Sequence, residues 1–335
     1  MRKRLMIVYA VIVALGLTGC QKETNDTNAS VVEESTEEAQ PAALTTDAEY
    51  FEFEYLDDDH ISITVLKDDS IGEVVIPEMI EEIPVVNIGW SAFEGCNNLT
   101  SITIPEGVTE IGNSAFENCS SLTSVTIPDS VTAIGDSAFE DCSSLTSITI
   151  PDGVINIGDR AFSCCSSLTS VILPNSVAEI GESAFNTCNS LTSITIPDGV
   201  TEIGDYVFAN CSNLASITIP EGVTEIGHSA FFCCNSLTGI TIPDSVTAIG
   251  ESAFEECNSL ESITIPEGMT EIETGVFYKC SSLTNITIPN SVTEIKGTAF
   301  ANCDSFETIN TPKGSYAEKW AKNNGYNVQY YAPGE

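Results

Sequence analysis

A unit of 23 residues, first legible as IPEGVTEIGNSAFENCSSLTSVT from Ile104 to Thr126, recurs to near the end of this chain without a change of register. Phe returns at Phe93, Phe116, Phe139, Phe162, Phe185, Phe208, Phe231, Phe254, Phe277 and Phe300, and each is followed three residues later by a Cys, from Cys96 to Cys303. A fixed period between about 20 and 30 residues makes each of the ten copies one coil of a solenoid that cannot bury its apolar face alone. Such an array grows by adding coils, so the 335 residues predict one elongated body rather than two globular cores.

The apolar spacing changes along each coil. In the copy from Pro128 to Ile150, Leu145, Ile148 and Ile150 follow the alternation of a short strand, with Ser147 and Thr149 pointing away from the core. Val131 and Ile134 line a second extended stretch. Gly135 then turns the chain, and Asp136 is placed to cap a single helical turn that buries Ala138, Phe139 and Cys142. Pro128 closes the preceding strand because it has no amide proton for the ladder. Five or six sizeable buried side chains contribute about 10 kcal/mol per coil, and ordering 23 residues costs at least as much. Stability must therefore come from stacking. Ten coils at about 4.8 Å make a body roughly 50 Å long.

The N-terminus reads as an address. Arg2, Lys3 and Arg4 precede an apolar run from Leu5 to Leu17, too short for a comfortable permanent span. Leu17-Thr18-Gly19-Cys20 resembles the bacterial lipoprotein box, which implies cleavage after residue 19 and a lipid on Cys20. Residues 20–48 are polar, acidic and without apolar periodicity, a disordered tether of about 30 Å reach. Residues 49–72 carry period-two alternation on both sides of Asp57-Asp58-Asp59, a hairpin cap. The solenoid occupies 73–312, its first coil enlarged by five residues between Pro77 and Phe93. In the C-terminal cap, 313–335, Ser315 and Glu318 have capping-box spacing before a short helix, and Gly325 is placed to end it.

The unit IPxxVTxIGxxAFxxCxSLTSITIP closely resembles the leucine-rich repeat of BspA-type bacterial surface proteins. The resemblance implies a β-rich, leucine-rich-repeat-like parallel β-solenoid of about ten 23-residue coils with short helical turns, capped at both ends, with the LTSITI strands on a concave face. It also implies adhesion to host or microbial surface macromolecules. The last coils depart from the pattern at Glu273, Lys296 and Phe306, as terminal coils do.

Chemistry is bounded by composition. The 49 acidic residues, all beyond position 20, stand against 11 basic ones, for a net charge of −38. A nucleic-acid partner needs a basic footprint, and this chain has the opposite. No nucleophile motif or phosphate loop is present, and exposed repeat carboxylates lack the desolvation that tunes a general acid, so no enzyme and no cofactor is expected. Ten of the 13 Cys form one row whose members point the same way, and they read as buried small hydrophobes rather than disulfides. Cys164 and Cys233 lie outside that row as the more exposed thiols, and at three coils, about 14 Å, they do not pair. The acidic row after the repeat Pro, including Glu106, Asp129 and Asp152, reads as a solvated face, and no metal is expected.

What remains is binding. The strands present Ser101 and Thr103, Ser124 and Thr126, Ser147 and Thr149, Ser193 and Thr195, Ser216 and Thr218, a candidate surface on the expected concave face, although such ladders also stabilise sheets by themselves. A second candidate is an aromatic group on the expected convex side, Tyr206, Phe232 and Tyr278, where other copies carry polar or small residues. The chain thus reads as an exported, lipid-anchored, outward-facing protein that binds a protein or glycan on host or other cells. A carbohydrate-binding accessory and a ligand-free spacer are the competing readings.

Overall fold

The computed structural model describes residues 45–332. The leader, Cys20 and nearly all of the tether fall outside the described residues.

The described chain is a parallel β-solenoid of stacked 23-residue coils. Each regular coil contributes two very short strands, because its apolar residues alternate only over Ser-Ile-Thr and Glu-Ile before Pro or Gly intervenes. The Ser-Ile-Thr strands pair in register across coils, as in Ser147↔Ser170 and Ser193↔Ser216, and the Glu-Ile strands do the same, as in Glu110↔Ala133 and Ile111↔Ile134. Gly239 stands where other coils carry Ser, and no strand forms there. Glycine's backbone freedom and missing side chain weaken a strand interior. All eight residues expected in the core of the Pro128 coil are buried, and the ten repeat phenylalanines stack face to face with centroids 5.0–5.8 Å apart.

The expected helical turn does not form. Residues 137–142 and their equivalents make successive hydrogen-bonded turns in which two residues per coil adopt left-handed backbone, Ser137 and Asp141 at φ 52° and 57°. The amides alternate in direction. Ser137, Phe139 and Asp141 donate to the next coil, at Asp159, Ala161 and Ser163 carbonyls (2.7–2.9 Å), while Ala138, Glu140 and Cys142 donate within their own. A left-handed L-residue costs about 1–2 kcal/mol, and here the cost is offset by a third inter-coil ladder. A helical turn would direct all of these amides inward.

Asp136 likewise does not cap its own coil. Its Oδ1 accepts the amide of Asp159 in the next coil (3.0 Å), as Asn113 does for Asp136, Asp159 for Glu182 and Asp205 for His228. Glu182 and Glu251 occupy the same position with a longer side chain and make no such bond. The Glu-Ile ladder is interrupted after each, between Ile180 and Glu202 and between Ile249 and Glu271, although it continues past His228 and Thr274, which make no such bond either. The repeat glycine has a different role from turning the chain. A Cβ on Gly158 would lie 2.5 Å from backbone atoms of Gly135 and Asp136 in the preceding coil, so close coil approach requires glycine there.

The ends are built from aromatic and antiparallel elements. β1 (Phe51–Tyr55) pairs antiparallel with β2 (Ile61–Leu66). β3 (Glu73–Val75) begins the Ser/Thr ladder. The five extra residues of the first coil form a second hairpin, β4 (Met79–Ile80) and β5 (Ile83–Ile88), turned by Glu81 and Glu82 in left-handed backbone. β2 runs parallel to β5 and so joins the first hairpin to the Glu-Ile ladder.

At the other end, α1 (Tyr316–Asn323) starts where Ser315 Oγ accepts the Glu318 amide at 2.9 Å. The Glu318 carboxylate reaches back to the Gly314 amide, Lys322 and Tyr330. Phe300 packs on Phe306 and Trp320, and Trp320 stacks on Tyr326, which finishes the phenylalanine column.

Candidate functional site

The two hydroxyl sets on the Ser-Ile-Thr strands differ in what they do. Thr123 and Thr169, one residue before the strand, donate to the carbonyl of the preceding coil at 2.9 and 3.0 Å, so their hydroxyls are structural. The ten candidate residues from Ser101 to Thr218 make no side-chain hydrogen bond among the described residues. Their backbones align, Ser101↔Ser124, Thr103↔Thr126, Ser193↔Ser216 and Thr195↔Thr218, and eight of the ten are exposed, with Ser101 and Thr103 half-buried. The arrangement is two parallel rows of unengaged hydroxyls at strand spacing, each able to donate one and accept two hydrogen bonds. Ile172 interrupts one row, 63% exposed where neighbouring coils carry Thr.

The second candidate group is arranged differently from expectation. Tyr206, Phe232 and Tyr278 are all half-buried, not open. Tyr206 holds left-handed backbone at φ 57° and meets His228 edge-on at 5.0 Å, and Tyr278 lies 5.2 Å from Lys279 Nζ. No two of the three rings pack together. Large apolar side chains that do stand open among the repeats include Trp90 at 76% and Ile155 at 51%, besides Ile172, and near the N-terminal end Met79, Tyr55 and Leu56 are open as well. A signal for those in the repeats existed in the sequence: Trp90 sits in the Asn/Asp row, and Ile155 and Ile172 replace Thr.

All 12 described cysteines are free. The row does more than fill space. Each Sγ from Cys119 to Cys303 donates to the Phe carbonyl 26 positions earlier, as Cys142 does to Phe116 at 3.1 Å. Burial pushes the Cys165, Cys211 and Cys257 thiols up, Cys211 to about 12, which removes their thiolate reactivity at neutral pH. Cys164 and Cys233 are half-buried and occupy left-handed turn positions. Cys233 is raised to about 12 by burial and by Glu256, to which it donates. Among the described residues no cluster of His, Cys, Asp and Glu has metal-binding geometry.

A solenoid with these ladders and repeat motif defines the leucine-rich-repeat class. The family profile described as "BspA type Leucine rich repeat region (6 copies)" matches residues 86–215 and 201–321, and the chain belongs to this family. A T. pallidum leucine-rich repeat protein is 33% identical, with 65% of this chain and 91% of that one covered and a TM-score of 0.55. A leucine-rich cell surface protein from Faecalibacterium prausnitzii is 31% identical over 84% and 98% of the two chains, with a TM-score of 0.39. A Bacteroides ovatus leucine-rich repeat protein is 28% identical over 87% and 100%, with a TM-score of 0.43. A search of curated proteins returns no match. No enzymatic family is indicated.

Proposed function

We propose that this chain is a non-catalytic recognition protein of the bacterial cell exterior, held to the membrane through a lipid on Cys20, whose Ser/Thr face binds macromolecules of host or neighbouring cells in adhesion. The observation that carries this reading is the pair of hydroxyl rows left unengaged while the adjacent threonines are used structurally. Family membership supports an exposed, non-enzymatic role, and the net charge of −38 selects against polyanionic partners.

The test is an array of extracellular-matrix proteins and glycans probed with the purified full-length chain and with its Thr149→Lys, Thr195→Lys double variant. Both positions are exposed strand residues, so the variant keeps the fold. Capture by the parent and at least tenfold weaker capture by the variant is expected. Equal capture by both moves the binding surface off this face.

A further inference from the structure

At its C-terminal end the Ser/Thr face changes chemistry. Thr264 pairs with Thr287, Thr287 with Asn310 and Asn310 with Gln329, so one in-register row passes from hydroxyls to carboxamides as the last strand closes the sheet. This row floors a cleft of about 440 Å³, also lined by Tyr331, by Asp244 and by Glu267. Such a volume falls in the range of about 300–1,000 Å³ typical of small-molecule sites. The floor spans three strand spacings, about 14 Å. That length suits a short chain of units rather than a single one.

Thr264, Thr287, Asp244 and Glu267 are repeat positions, and what sets the cleft apart is Asn310, Gln329 and the terminal tyrosines. Asn310 Nδ2 donates to Asn285 Oδ1 and Thr287 Oγ1, both at 3.4 Å, while its Oδ1 is buried with no hydrogen-bond partner. Gln329 is exposed and supplies both a donor and an acceptor. Tyr331 is half-buried, and its hydroxyl is raised by burial and then by the charge of Glu267, so carboxylate and ring share one environment. The donor and acceptor of Gln329, carboxylates that accept from adjacent hydroxyls, and the rings of Tyr330 and Tyr331 for an apolar face match the surface of a pyranose. Peptides would instead demand apolar side-chain pockets or several charge partners. The carboxylates and the charge of −38 exclude acidic sugars.

We infer that this cleft is a binding site for a short neutral oligosaccharide, with Gln329 reading sugar hydroxyls, Glu267 and Asp244 accepting from them, and Tyr331 stacking on a ring face. The inference rests on the reading of the Ser/Thr face as a recognition surface and assigns its C-terminal end a ligand class.

The experiment is calorimetric titration of the purified full-length chain with tri- to pentasaccharides of β-1,4-glucan, α-mannan, β-galactan and β-1,4-N-acetylglucosamine, with sialyllactose as the anionic comparison. Saturable binding of at least one neutral probe is expected, with at least tenfold weakening in Tyr331→Ala and in Gln329→Ala, and an unchanged thermal melt. Thr149→Ala, distant along the face, should bind as the parent does. If no neutral probe binds, if sialyllactose binds as well as any of them, or if Tyr331→Ala binds undiminished, the inference falls. Absence of sugar binding together with face-dependent capture of matrix proteins overturns this site alone. Absence of both overturns the recognition reading as well.

Discussion

Two substitutions of the same kind, Gly158→Ala and Gly204→Ala, should move stability in opposite directions. At Gly158 the added Cβ meets Asp136 N and Gly135 C at 2.5 Å, against 3.4–4 Å for ordinary contact, and both atoms are backbone of the preceding coil. Relief of nearly 1 Å must come from separating coils joined there by the Gly158 amide and the Ile134 carbonyl at 2.9 Å. Overpacking of this kind costs about 1–3 kcal/mol. Restricting the unfolded chain returns about 0.4–1 kcal/mol. The net expectation is a loss of about 1–2 kcal/mol.

Gly204 sits at the interrupted seam, where the nearest atoms to a new Cβ are Val207 Cγ2 at 3.7 Å and Ile180 O at 3.9 Å. Only the entropic gain then applies, about 0.4–1 kcal/mol of stabilisation. Urea unfolding followed by circular dichroism, with the slope checked for constancy, reads the two midpoints directly. Midpoints that move together, or an unaffected Gly158→Ala, would refute the account of the glycine row as a close-approach device.

Four further outcomes follow from the same structure. Glu182→Asp should restore the side-chain bond to the Asp205 amide and stabilise by about 0.5–1.5 kcal/mol, read as a higher urea midpoint; no gain would detach the seam from side-chain length. Cys142→Ala should cost about 1–2 kcal/mol through lost packing and the lost bond to Phe116, while a reducing agent leaves the parent's melting temperature in place, and a large drop on reduction would reveal disulfides. Glu318 is lowered from 4.5 to about 2, first by Lys322 and then by the Gly314 amide and Tyr330, so the C-terminal cap keeps this contribution above about pH 4.5 and loses it as pH falls toward 2. Glu318→Gln should flatten that part of an acid titration of Trp320 fluorescence, and an unchanged titration would remove Glu318 from the cap's stability. Cys20→Ala should release the chain from membranes with its melt unchanged, as detergent partitioning would show; equal retention would end the lipid-anchor proposal.

The 23-residue period, the core positions from Val131 to Ile150, the phenylalanine column and the Ser315–Glu318 cap were all legible in the residues, because period, polarity and capping spacing are local properties of the chain; the turns that β3 and the last strand add at the two ends, for about twelve in all, were not. What only the tertiary structure decided depends on an atom about 23 residues away. Left-handed turns replace a helical turn because the next coil offers carbonyls to their amides. Gly158 is required by a neighbouring backbone and not by its own torsion, and Cys142 is a donor because Phe116 O lies within reach. The same holds for the face: Thr123 and Ser124 are adjacent hydroxyls in the sequence, yet only the stacked coils determine that the first is engaged and the second free. The C-terminal cleft belongs wholly to this second kind, since Gln329 joins the row of Thr264 and Asn310 only when the last strand folds back onto the sheet.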